Sequence, residues 1–161
     1  VYKRQTYQMM PYGVLIPKSN TDLVETINYA RESKVPLLAR GGGTSQCGQT
    51  VNNAIVIDNS KYFNKILDFN KESMTCVVEP GIVLDELNRF LKPYGLWFPV
   101  DVSTSSRATI GGMAGNNSCG GRSIRYGMMR DNVINIEAIL YDGSIYNFVK
   151  IENNLREALM G

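Results

Sequence analysis

Val35-Pro-Leu-Leu-Ala-Arg-Gly-Gly-Gly-Thr-Ser45 runs a short apolar segment straight into three consecutive glycines and two hydroxyls. Val35 to Ala39 has the length and composition of a buried strand. Beyond it, Arg40 to Ser45 lacks three successive Cβ atoms, so the backbone is free to take positive φ and to lie close against a ligand. A strand that opens into such a loop presents a series of backbone N–H groups, which suits an anion such as a diphosphate. A glycine-rich turn that holds nothing has the same composition, and the loop alone does not decide between them.

Upstream, Gly13 to Ile16 is a short apolar strand closed by Pro17, and Ser19-Asn-Thr-Asp22 is a cluster of helix-capping residues. Leu23, Val24, Ile27 and Ala30 put an apolar stripe on the helix that follows, which ends in the polar Arg31 to Lys34. The loop therefore closes a strand, helix, strand unit. Downstream, Ala54 to Asp58, Ile66 to Phe69 and Met74 to Val78 read as strands. After Pro80-Gly81, Leu84, Leu87 and Leu91 recur at helical spacing until Gly95 stops the helix. Pro99 to Arg130 shows little periodicity and is too long for a plain connection, so it reads as a functional loop. Val133 to Tyr141 alternates, with Ile134, Ile136, Ala138 and Leu140 on one face, and Asp142-Gly143 turns it into Ser144 to Val149. There is no internal repeat.

Composition narrows the function. The 161 residues are 43% apolar and carry 17 basic against 15 acidic groups, interspersed, without the basic stripe that nucleic acid requires. No apolar run approaches the length of a membrane span. The three cysteines are widely spaced, with no Cys-x-x-Cys pair to clamp zinc or an iron–sulfur cluster, and fit a reducing compartment. Histidine is absent, which removes the commonest general base. The start at Val1 without methionine suggests an excised piece.

Two nucleotide motifs can be tested directly. A dinucleotide fingerprint from Gly41 needs glycine where Gln46 stands, and one from Gly43 needs it at Ser45. A triphosphate loop fits Gly43, Gly48 and Thr50, but Gln49 replaces its lysine. The second concentration of small residues and amides, Ala108-Thr-Ile-Gly-Gly-Met-Ala-Gly-Asn-Asn-Ser-Cys-Gly-Gly121, suits close wrapping of a flat ligand or, equally, a flexible surface loop. Arg122, Arg125 and Arg130 read as solvated surface charges, and Trp97, Phe98, Met128 and Met129 as packing.

Taken in order, Arg40 to Ser45, Val77 to Gly81, Ala108 to Gly112, Asn116 to Gly120, Arg125-Tyr-Gly127 and Asp131-Asn-Val133 resemble the FAD domain of the vanillyl-alcohol oxidase and p-cresol methylhydroxylase (PCMH-type) superfamily. The likeness is strongest to its branch of D-lactate, glycolate and related 2-hydroxyacid dehydrogenases, and runs from about Pro17 to Gly143. It implies an α+β fold of two α/β lobes, about 1–80 and about 81–161, with non-covalent FAD between them. The second lobe would be incomplete at Gly161, where Asn154 to Gly161 looks like the start of a further cofactor-touching segment, and the substrate domain would lie beyond.

By the same resemblance Arg40, Gly41, Gly42, Gly43, Thr44, Ser45 and Gly48 hold the diphosphate, and Pro80 and Gly81 pass the adenosine side. Thr109, Gly111, Gly112, Asn116, Asn117, Gly120 and Gly121 line the flavin and ribityl part, and Val133 approaches the adenine by its backbone. The implied parent oxidises a small 2-hydroxyacid by hydride transfer to flavin N5, with no catalytic residue and no metal in this segment, which alone would be inactive. A carbohydrate or alcohol oxidase, or the cell-wall reductase sharing this domain, is the alternative chemistry; a non-catalytic nucleotide-binding module is the alternative of another class. The resemblance places the parent in the cytoplasm, with peripheral contact to the inner membrane face through other parts. An iron–sulfur module or subunit downstream would mark a respiratory dehydrogenase.

Overall fold

The computed structural model describes residues 7–149; Asn154 to Gly161, with the segment expected there, lie outside the described residues. β1 (Gly13–Leu15), α1 (Asn20–Ser33) and β2 (Leu37–Arg40) form the expected strand, helix, strand unit, and β3 (Ile55–Asp58) inserts between the two strands. All three strands are parallel, with Val14 and Leu38 both in register with Val56. Parallel strands need a crossover, and α1 supplies it. As the central strand, β3 carries the buried Val56 and Ile57, and a sheet buried on both sides selects such a continuous apolar run.

α1 starts where its caps require. Ser19 Oγ accepts the Asp22 N–H at 3.2 Å, while Asp22 Oδ2 accepts the N–H of Ser19 at 3.1 Å and of Lys18 at 2.7 Å. Two free donors of the first turn are satisfied reciprocally. The helix ends at Lys34, left-handed at φ 55°, and the Val35 N–H returns to the Ala30 carbonyl at 2.9 Å.

β4 (Ile66–Asn70) and β5 (Thr75–Val78) form an antiparallel ribbon. One of its faces, Ile66, Phe69, Cys76 and Val78, packs on Ile82, Leu87 and Leu91 of α2 (Leu84–Leu91) and the segment before it. The other side of α2 presents Leu84 to a second core of Val100, Ala108, Met113 and Met129, flanked by Phe98 and Val133. α2 is thus the pillar between two cores, and a 3-10 turn at Lys92–Tyr94 closes it at Gly95, φ 72°.

The structure differs from the sequence reading between 99 and 130. Three short helices lie there: α3 (Ile110–Gly115), α4 (Ser123–Tyr126) and α5 (Met129–Asn132). Glycine and serine disfavour helix, so propensity hides these turns; tertiary contacts impose them. The Ile110 N–H donates to the Ile82 carbonyl at 2.9 Å and the Gly111 N–H to the Pro80 carbonyl at 2.8 Å, which pins the first turn of α3, and buried Met113 anchors its far side. Met128 and Met129 divide, the second fully buried.

β6 (Asn135–Ile139) and β7 (Ile145–Val149) complete the described chain as a hairpin turned at Asp142-Gly143. Its turn docks on α1, where Arg31 Nη1 donates to the Asp142 carbonyl at 3.0 Å. Among the described residues no helix is long and apolar enough to cross a membrane.

Candidate cofactor site

The glycine motifs that lie far apart in sequence meet in space. A Cβ on Gly41 would collide with Thr109 Oγ1, and one on Gly42 with the Arg107 carbonyl, so the loop after β2 lies directly against the entry to α3. On its other flank, α3 is pressed by Pro80, which leaves no space for a Cβ on Gly111. Gly81 is buried under the carbonyls of Asn59 and Phe63. Segments 40–48, 80–81 and 107–112 therefore form one continuous floor.

This corrects the reason given for the triple glycine. Only Gly43 takes positive φ, at 63°, and Gly48 follows at 86°. Gly41 and Gly42 are required by the contact between loops. The triphosphate-loop alternative fails here too: residues 41–54 run without a helix into β3, and Thr50 is buried rather than presented. Such motifs place the phosphate on a helix N-terminus directly after the loop, and none follows.

Main-chain polarity gives the floor its chemistry. Among the described residues no backbone N–H from Gly42 to Cys47 donates to a protein acceptor, nor does that of Gly112. Thr109 is 2% exposed and its Oγ1 has no hydrogen-bond partner. Asn59 Oδ1, beside the Pro80-Gly81 segment, is likewise buried without a partner. Buried polar groups in folded proteins are almost always paired, so this clustering at one place signals a polar ligand.

The second small-residue run continues the floor. Asn116 caps α3 and its Oδ1 accepts Gln49 Nε2 at 3.4 Å, a link back to the first loop. Asn117 is left-handed at φ 46°, and its side chain accepts the Arg130 N–H at 3.0 Å. Gly120 and Gly121 wrap Asp101: a Cβ at 120 would strike the Asp101 carbonyl, and Asp101 Oδ1 accepts the Arg122 N–H at 3.0 Å. Val133 stands apart, at the end of α5 on the core that Leu84 and Met129 share. Sequence reasoning missed Asp101, Asn59 and Arg107, which shape the loops from outside the motifs. A single Asp after Pro99-Val100 carries no local signature, and only the unusual density of glycine at 120–121 hints at a close partner.

Arg122 lies over the Trp97 ring at 4.9 Å, Trp97 meets Tyr126 edge-on at 5.2 Å, and Arg125 lies over Tyr126 at 5.2 Å. These residues form an exposed ladder beside the floor. Cys47 and Cys119 are exposed free thiols, and Cys76 is half-buried, its thiol pKa pushed up by burial.

Residues 11–148 match the model of a family described as an FAD binding domain. The chain belongs to that family. FAD is its cofactor, and the loops carry groups of the kind such a ligand engages: among the described residues the N–H groups of 42–47 and of Gly112 and the Thr109 hydroxyl have no protein partner. Across 95% of its length the chain is 39% identical to D-2-hydroxyglutarate dehydrogenase of Pantoea ananatis, of which it spans 15%. It is 36% identical over 86% of its length to the glycolate oxidase subunit GlcD of Bacillus subtilis, of which it spans 30%. Over 94% it is 36% identical to the mitochondrial D-lactate dehydrogenase [cytochrome] of Arabidopsis thaliana, of which it spans 26%. Alkyldihydroxyacetonephosphate synthase shares the fold, with a TM-score of 0.72 at 23% identity over 86% of this chain and 28% of that one.

Proposed function

We propose that this chain is the FAD-holding part of a longer flavoenzyme that oxidises a 2-hydroxyacid. The observation that carries the cofactor geometry is the meeting of Gly41, Gly42, Thr109 and Gly111 on one floor with unpaired donors. Arg40 to Ser45 and Gly48 would take the diphosphate through main-chain N–H groups, and Pro80-Gly81 would flank the adenosine. Thr109, Gly111, Gly112, Asn116, Asn117, Gly120 and Gly121 would line the ribityl and flavin part, with Val133 at the adenine. Two lobes enclose the group in this reading, divided near residue 80, although the β4–β5 ribbon packs across that boundary onto α2.

When bound, FAD supplies the two-electron acceptor, taking hydride at flavin N5. The chain's own residues bind and orient it. With no histidine in the sequence, the base that accepts the hydroxyl proton and the groups that recognise the carboxylate belong to a substrate domain outside this segment, and attachment to FAD through histidine is impossible here. Names of the relatives support the substrate class: D-2-hydroxyglutarate, glycolate and D-lactate are all 2-hydroxyacids. In this reading the whole protein works in the cytoplasm, and an iron–sulfur module would carry electrons away singly.

The test is a visible absorption spectrum after incubation with FAD and gel filtration, on this chain and on the longer chain that carries it. Co-elution of flavin absorbance with protein, followed by its bleaching on anaerobic addition of D-2-hydroxyglutarate, D-lactate or glycolate to the longer chain, is the expected result. A folded longer chain that stays colourless sinks the cofactor reading; one that is yellow but bleached by none of the three sinks the substrate class.

A further inference from the structure

Nothing in the cofactor reading uses the exposed face built on Trp97 and α4. Ile124 is 99% exposed, so this large apolar side chain touches almost nothing. Tyr126, in the same turn, and Trp97, which it meets edge-on at 5.2 Å, are also open to solvent. Arg122 lies over the Trp97 ring at 4.9 Å and Arg125 over the Tyr126 ring at 5.2 Å. A single exposed apolar residue is ordinary on a protein surface, but isoleucine, tryptophan and tyrosine interleaved with arginine have the composition of an interface centre. We propose that this face receives the substrate-recognising part of the longer chain, which brings an apolar pocket for Ile124 and carboxylates for Arg122 and Arg125.

The face is preorganised. Each guanidinium is held on a ring by cation–π attraction, and the Arg122 N–H is anchored on Asp101 Oδ1 at 3.0 Å. Side chains held in this way lose less freedom when a partner arrives. Yet neither guanidinium has a hydrogen-bond or ion-pair partner among the described residues, so both charges are available. Residues 97–130 carry four arginines, all exposed, against the single acidic Asp101, while the rest of the chain is slightly acidic. Such local asymmetry selects an acidic surface and opposes a two-fold contact with a second copy, which would set Arg122 and Arg125 against themselves. Chain length argues for the same occupant. The chain spans 15% of the D-2-hydroxyglutarate dehydrogenase and 30% of the glycolate oxidase subunit, so most of such a protein lies outside it. Contacts between domains of one chain have the same make-up as contacts between proteins. Arg122 follows Gly121 directly, so in the flavin reading, on which this proposal rests, the face adjoins the end of the floor to which a hydroxyacid has to be brought.

The test places a photo-cross-linking residue at position 124 of the longer chain, which is purified, illuminated in dilute solution and digested for mass mapping of the linked peptide. The expected product is an internal link from position 124 to a peptide outside residues 1–161, with no dimer-sized band on a denaturing gel. Reversing the charges, R122E with R125E, is expected to lower the yield of that link about fivefold or more, while bound FAD stays within about twofold of wild type. R122Q with R125Q takes its place should the reversed pair lose native circular dichroism. I124D, without the cross-linker, is expected to keep FAD and to lower kcat/KM for the hydroxyacid about tenfold, through misplacement of the docked part. A link to a second copy, a link confined to residues 1–161, no link, a yield indifferent to both charges, or an unchanged kcat/KM in I124D overturns the proposal and leaves the flavin reading standing. A longer chain that links as expected but stays colourless sinks the cofactor reading instead.

Discussion

Thr109 offers the most direct test of the proposed floor. Its hydroxyl is sealed between Gly41 and Gly112 with no acceptor or donor in reach, although valine would fill the same space. An unpaired buried hydroxyl costs free energy in the empty protein, so T109V is expected to stabilise the flavin-free chain by about 1 kcal/mol while weakening FAD about tenfold. Denaturant melts without flavin and fluorescence titration with it check the two signs; equal stability and unchanged affinity would mean the hydroxyl faces nothing. G41A tests the contact between loops, because its methyl group would run into Thr109 Oγ1, and both stability and flavin retention should fall. At this scale the sequence singled out the glycines as a group but not their separate reasons. That Gly41 and Gly42 serve the α3 entry while Gly43 serves the turn depends on residues some 65 positions away, such as Arg107 and Thr109, which no local rule connects.

Among the elements, α1 was legible to within a few residues because its caps are local. Ser19 and Asp22 form their box within four residues, and the stripe from Leu23 to Ala30 needs nothing else. S19A should cost about 1 kcal/mol, read from the denaturation midpoint. The Asp22 carboxylate accepts the Lys18 N–H, and the Ser19 hydroxyl and N–H stand beside it, which together hold its carboxyl below the ordinary aspartate value. A depressed folded pKa means that this contribution is complete above the unfolded value and disappears as pH falls through the folded one. Asp142 shares the sign, its carboxylate held by the Ser144 hydroxyl and N–H. D22N should therefore flatten the acid limb of the stability–pH curve while leaving its slope near neutrality alone; an unchanged acid limb would remove Asp22 from it. α3, α4 and α5 were illegible for the opposite reason. Each is a turn or so long, glycine- or serine-rich, and held by bonds to distant partners such as Ile82, Pro80 and Asn117, so tertiary structure decides where propensity is silent.

For the whole molecule, order was easier to read than shape. Six motifs in a fixed order identified the FAD domain, whereas the pillar role of α2 between two cores, with β4–β5 on one side and the α3–α5 segment on the other, follows only from packing. With FAD on the proposed floor, that arrangement would make the cofactor a structural ligand. Segments 40–48, 80–81 and 107–121 hang from different elements, β2, β5 and the second core, and meet on a floor where, among the described residues, the N–H groups of 42–47 and of Gly112 and the Thr109 hydroxyl have no protein partner. A ligand that satisfies them would join pieces that otherwise meet through close glycine contacts and a few hydrogen bonds, such as Gly111 to Pro80 and Gln49 to Asn116. At about a hundred times its Kd, FAD should stabilise the folded state by about 2.7 kcal/mol, or roughly 5 to 10 °C for a chain of this size. Hydrogen exchange distinguishes this from attachment at one loop: slowed exchange of the amides at 42–47, at Gly112 and through 116–121 together is expected on adding FAD. Protection confined to 42–47 would mean that the loops make separate contacts, and that the floor is packing without a common ligand.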